Sequence, residues 1–151
     1  MRDSYPNPWD FHNTDKSLNS TDNFHRLVYY ELSEIAMGAP LGGKCFLETV
    51  DKQKIKIHDW CGGQPAWETN GELVAIPIWV RKILKGTIQQ IGILNTKTKE
   101  LKIFSKTFNV LDLRSFDNHI IYGYDSPIHN TKTVVFDLEK EKVETIIKLT
   151  L

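Results

Sequence analysis

Polar and apolar residues alternate in Ile55-Lys56-Ile57 and again in Leu101-Lys102-Ile103. This two-residue period predicts strands with one face in water. The runs His25–Leu32, Leu73–Val80 and Ile120–Tyr124 carry few charges. They predict strands covered on both faces. Between the two kinds of strand lie short polar segments rich in Asn, Asp and Gly. These are the residues whose side chains bond their own backbone or tolerate positive φ in tight turns. The pattern predicts an all-β chain.

The strands recur. Ile91–Leu101 aligns without a gap on Thr133–Val143 at an offset of 42, each reading as a strand, a turn opening on Asn95 or Asp137, and a return strand. Both predict a β-hairpin, and Leu47–Ile57 is a shorter copy. Ahead of each lies a turn tetrapeptide: Ser20-Thr21-Asp22-Asn23, Glu68-Thr69-Asn70-Gly71 and Ser115-Phe116-Asp117-Asn118. Asp22, Asn70 and Asp117 are 48 and 47 residues apart.

A turn, a buried inner strand and a hairpin, returning every 42–48 residues, resembles a β-propeller blade. The tetrapeptides resemble the Ser-Pro-Asp-Gly turn that precedes the innermost strand of such blades. The resemblance implies an open half-propeller of three antiparallel blades with three to four strands each. They would span 20–66, 67–114 and 115–151, in one domain with an N-terminal arm over 1–19, and the third would stop before its outermost strand. Three blades do not close a ring, so exposed sheet edges need a partner, a second copy, or the arm with its Pro6, Pro8, Trp9 and Phe11.

Lys plus Arg equals Asp plus Glu at 19 each, which gives no overall basic field for nucleic acid or an anionic membrane. The distribution is uneven: residues 1–80 hold 7 basic against 11 acidic residues, and residues 81–151 hold 12 against 8. The acidic half suits a basic partner. No run approaches the roughly 18 apolar residues of a membrane span, and the polar start MRDSYPNPWDFHN has no apolar core of a signal peptide. With two cysteines, Cys45 and Cys61, the expectation is a cytoplasmic protein with reduced thiols.

Candidate chemistry is sparse. His58-Asp59-Trp60-Cys61-Gly62-Gly63 places an imidazole, a carboxylate and a thiol within four residues. Neighbours on an extended segment point to opposite sides, so the segment reads as a connection between blades, with Trp60 and Trp67 as packing wedges. Cys45, His58 and Cys61 lack zinc-site spacing. Met37–Lys44 is glycine-rich and ends in lysine but has Cys45 where a phosphate loop needs a hydroxyl. No cofactor and no metal are expected. Glu31 and Glu34 form either a carboxylate pair or a solvated acidic edge. Tyr122-Gly123-Tyr124-Asp125 ends an inner strand, as do Trp79 and Arg81. These rings either line a shared surface, where aromatics and Arg make hot spots, or pack between blades.

Asn7-Pro8-Trp9, Ser33–Pro40, Asp59–Gly63 and the inner-strand repeats resemble small bacterial half-propeller immunity proteins of contact-dependent growth inhibition and related toxin systems. That resemblance implies a non-enzymatic cytoplasmic antidote that binds one cognate basic toxin, a nuclease above all, and covers its active site. The expected contacts are Asp10, Glu31, Glu34 and Asp59 as acids, and Trp79, Tyr122, Tyr124 and Asp125 as anchors. The alternatives are a homodimeric six-bladed ring that binds a small ligand, and a small hydrolase or lyase.

Overall fold

The computed structural model describes residues 6–150. Among these residues, eleven antiparallel strands follow a single 3-10 turn at Lys16–Leu18. They are β1 (Arg26–Glu34), β2 (Leu41–Glu48), β3 (Lys54–Cys61), β4 (Ala66–Trp67), β5 (Leu73–Lys82), β6 (Gly86–Asn95), β7 (Glu100–Phe108), β8 (Leu111–Asp117), β9 (Ile120–Asp125), β10 (Lys132–Asp137) and β11 (Val143–Lys148). The chain is all-β, as its patterning predicts.

The strands form three meanders. β1-β2-β3 is the first; β5-β6-β7, with β11 added outside β7 and β4 beside β5, is the second; β8-β9-β10 is the third. One residue pair, Cys61↔Ile78, joins the first to the second. The sheets do not close on themselves: β1 and β11 end the large sheet, and β10 and β8 end the small one.

The second meander lies between the other two, which explains the uncharged run at 73–80. Val74, Ile76 and Ile78 face a core shared with Leu27, Tyr29, Leu47 and Ile57 of the first meander. Ala75, Ile91 and Ile93 face a second core with Leu113, Phe116, Ile121 and Phe136 of the third. Each side chain from Val74 to Trp79 therefore leaves water whichever way it points. The outer strand β3 alternates buried Ile55 and Ile57 with exposed Lys54 and Lys56, as expected.

The run Ile120–Tyr124 departs from expectation. Ile121 and Gly123 face the core, but Tyr122 and Tyr124 are exposed, because nothing among the described residues covers the outer face of the third meander. The hairpin expected over 133–143 is also corrected. Its turn forms as read: Asp137 Oδ1 accepts the Glu139 N–H at 3.0 Å, just as Asn95 Oδ1 accepts those of Lys97 and Thr98 at 2.9 and 3.1 Å. The return strand β11, however, leaves β10 and pairs with β7, from Val143↔Phe104 to Lys148↔Glu100. Ile147 and Leu149 then pack on the first core, which β10 does not reach. The expected boundaries at 66/67 and 114/115 fall within β4 and β8, and β8 pairs with β9.

The arm is tied down from Pro6 onward. Phe11 is fully buried and meets the Tyr29 ring edge-on at 5.0 Å. Asn13 completes the edge of β1 like an added strand: its Nδ2 donates to the Tyr29 carbonyl and its Oδ1 accepts the Tyr29 N–H, both at 2.8 Å. The backbone groups of Tyr29 are thereby withdrawn from pairing with another chain.

Candidate functional site

The turns that precede β1, β5 and β9 lie side by side. Thr21 Oγ1 donates to the Thr69 carbonyl at 3.0 Å, and the Thr69 N–H donates to the Phe116 carbonyl at 3.1 Å. Residues one repeat apart in sequence thus meet at one end of the fold. Gly71 makes the approach possible: its φ is +81°, and a Cβ there would lie 2.9 Å from Thr21 Oγ1.

Between the second and third turns sits Glu68. Its side chain is 3% exposed, and its Oε2 accepts the His119 backbone N–H at 2.8 Å. The His119 Nε2 lies 3.7 Å from the same oxygen, on a ring half open to solvent. Glu68 Oε1 is buried and has no hydrogen-bond partner among the described residues. Asn118 and His119 are the two central residues of the β8–β9 hairpin, with φ of 51° and 64°. Two-residue loops of this hand favour Asn-Gly, so an imidazole is held where glycine is the less strained choice.

Two adjoining cavities, of about 460 and 310 Å³, share Glu68, Asn70 and His119 in their walls. The first adds Asp117, and the second adds Glu72, Glu100 and Glu139 with one lysine, Lys102. Among the described residues only Glu72 of these acids pairs with a lysine, Lys97 at 2.7 Å. The space is strongly acidic. In the sequence Glu68 opens one turn tetrapeptide and His119 directly follows the next. The usable signal was their spacing of 51 residues, close to one repeat.

The expected contact residues fall into separate groups. Glu31, at a positive φ of 58° in the irregular stretch of β1, pairs with Lys44 at 3.0 Å. Lys44 also feels Asp59, which pairs with Lys56; Glu31 and Asp59 therefore flank one lysine. Glu34 accepts the Gly38 N–H at 3.2 Å and shapes the β1–β2 loop. Asp10 takes His12 Nε2 at 2.8 Å. Tyr122 and Tyr124 stand exposed on β9, with Val135 opposite Tyr122 on β10.

Two expected anchors change role. Trp79 is 3% exposed, donates its indole N–H to the Leu41 carbonyl at 3.0 Å and packs on Trp60, so it is interior structure and not a surface anchor. Asp125 Oδ1 accepts the backbone N–H groups of Asn109 and Val110, both at 3.0 Å, and so fixes the entry to β8.

The segment His58–Gly63, expected as a connection between blades, instead starts with the last four residues of β3, His58–Cys61. Cys61 is fully buried and burial pushes its thiol well above the ordinary value; burial lowers the His58 imidazole. Both cysteines are free thiols. Met37–Lys44 leads into β2 with no helix after it. Among the described residues, no group of three or more His, Cys, Asp or Glu is placed to hold a metal ion, and no helix is long and apolar enough to cross a membrane.

No protein-family model matches the chain, and no curated protein or solved structure does.

Proposed function

We propose that this chain is a non-catalytic binding protein that neutralises a basic protein toxin by covering its active site. A nuclease is the toxin class that its resemblance to immunity proteins implies. The observation that carries the reading is the acidic surface around the Glu68 cavities, where Asp117, Glu100 and Glu139 have no lysine partner among the described residues. Glu31 and Asp59 add exposed acid elsewhere, of the kind that steers a basic partner in diffusional encounter. Tyr122 and Tyr124 supply exposed rings of the type enriched at interface hot spots.

The enzyme alternative has less support. A thiol nucleophile must ionise and be reachable, and Cys61 is buried with its thiol held protonated. The homodimer alternative draws on the exposed Tyr122–Val135 face and the open edge of β10.

The test is purification of the C-terminally tagged protein from its native host. The expected result is one stoichiometric basic partner whose toxicity is suppressed in the complex and returns on its release. A homodimer without partner, seen by light scattering, overturns the antidote reading in favour of the ring.

A further inference from the structure

We infer that the tip of the β5–β6 hairpin inserts its two aliphatic side chains into an anionic lipid surface. Ile83 and Leu84 are the central residues of a turn in which the Lys85 N–H donates to the Lys82 carbonyl at 3.2 Å. Both stand in water, 91% and 101% exposed. Leu84 alone of the two has a positive φ, +74°, in a turn position that favours glycine or asparagine. No packing within the fold offsets the strain of a leucine there. Two large apolar side chains held together outside both cores, against the chemistry of their own turn, mark a contact surface.

The charge around them selects what they contact. No Asp or Glu occurs between Glu72 and Glu100, whereas Arg81, Lys82 and Lys85 flank the pair. β7 adds Lys106, whose neighbour Thr107 is reached by Lys85 Nζ at 3.4 Å. Of these cations, Lys82 shares its charge with Glu144, at 3.4 Å. Aliphatic residues ringed by cations match the boundary where acyl chains meet anionic headgroups. Long lysine stems keep the charge at headgroup level while the apolar tip goes deeper.

Two further loops lie at the same end. Trp79, near the end of β5, donates to the Leu41 carbonyl just past the loop that carries Met37, itself 99% exposed. The Ser126 N–H donates to the Val110 carbonyl, two residues beyond Phe108, and Phe108 pairs with Gln89 opposite Trp79; the loop that follows Ser126 carries exposed Ile128. Glu34 and Asp125, at the ends of β1 and β9, accept backbone N–H groups. The Glu68 cavities sit at the other end of β5, about 30 Å away at the usual strand rise, so the inference stands apart from the antidote reading.

The test is co-sedimentation of the full chain with phosphatidylcholine vesicles prepared with and without phosphatidylserine. The expected result is binding to the phosphatidylserine vesicles that weakens as salt is raised, and far less to the neutral ones. Ile83→Ser/Leu84→Gly suits the turn better than the native pair, so the fold is kept; it should lower the partition coefficient at least about tenfold, because most of the buried methylenes are gone. Lys82→Gln/Lys85→Gln should lower it severalfold at low salt. No binding to phosphatidylserine vesicles, equal binding to neutral ones, or an undiminished response in Ile83→Ser/Leu84→Gly overturns the inference. Loss of a co-purifying protein by that variant, with vesicles ignored by the native chain, reassigns the tip to a protein contact.

Discussion

Gln64 and Asp112, 48 residues apart, meet in the interior: the Gln64 amide Nε2 donates to Asp112 Oδ1 at 2.7 Å and to the Leu113 carbonyl at the same distance. The other carboxylate oxygen accepts from Arg114, also at 2.7 Å. Both Gln64 and Asp112 are almost fully buried. One amide therefore fastens the segment leading into β4 to β8, one repeat further along, and gives a buried carboxyl oxygen a hydrogen-bond donor.

Gln64→Ala should lower the free energy of unfolding by about 2 kcal/mol, because it strips a donor from a buried carboxylate while leaving that carboxylate in place. Urea denaturation reads this as a lower midpoint at unchanged slope. Gln64→Glu should be worse, since it sets two carboxylates face to face. A change below about 0.5 kcal/mol, the range of an ordinary surface substitution, would show that the link is slack.

Gly63 presses on the arm. A Cβ at Gly63 would lie 2.6 Å from the Phe11 ring, which is itself fully buried. Gly63→Ala should destabilise by about 1–3 kcal/mol through overpacking. Phe11→Leu made alongside it should recover part of that loss, a coupling that a double-mutant cycle isolates. Strict additivity of the two would place Phe11 out of contact with Gly63.

Much of this was legible in the sequence, because strand period and turn chemistry are local. Asn95 and Asp137 hold equivalent turns, and Thr21, Thr69 and Phe116 meet at the repeat spacing. The partner of β11 was not legible. Its turn aligns without a gap on 95–101, and only the demand of Ile147 and Leu149 for the first core sends the strand to β7. Nor was the covering of each strand face: Tyr122 and Trp79 both end inner-strand runs, yet one is exposed and the other buried. The Glu68–His119 site escaped because its parts lie in different repeats.

Acid should weaken the fold in two windows. His25 and His58 titrate below the ordinary imidazole value of 6.5, chiefly through burial. A depressed histidine binds its proton more readily when unfolded, so its contribution is complete above 6.5 and is lost as pH falls toward the folded value. Asp22, held low first by the Ser20 hydroxyl, and Glu144, held low first by Gln90, contribute above the ordinary carboxylate values and lose that contribution only in stronger acid. The double variant His25→Gln/His58→Gln should flatten the upper part of a stability–pH curve and leave the lower part intact. An unchanged slope just below 6.5 would mean that neither histidine is linked to folding.

Cys61 should resist thiol reagents until the protein unfolds. It has no exposed surface, and burial holds it in the unreactive thiol form. Labelling with a chromogenic disulfide at neutral pH should therefore be slow and should accelerate in urea along the same transition that circular dichroism follows. Fast labelling under native conditions, abolished by Cys61→Ser, would reveal local opening of the β3–β5 junction, where a single residue pair joins the two meanders.

Charge reversal at Glu31 and Glu34 tests the steering half of the proposed function. Glu31 already shares Lys44 at 3.0 Å, and an exposed pair of this kind contributes little to folding, so the reversed protein should remain folded. Against its basic partner, the double variant should associate more slowly at low salt and show a shallower dependence of the on-rate on ionic strength, while the dissociation rate changes little. Rates equal to those of the native chain at low salt would exclude Glu31 and Glu34 from the approach path and leave Glu68 and its neighbouring carboxylates as the acidic face that the partner meets.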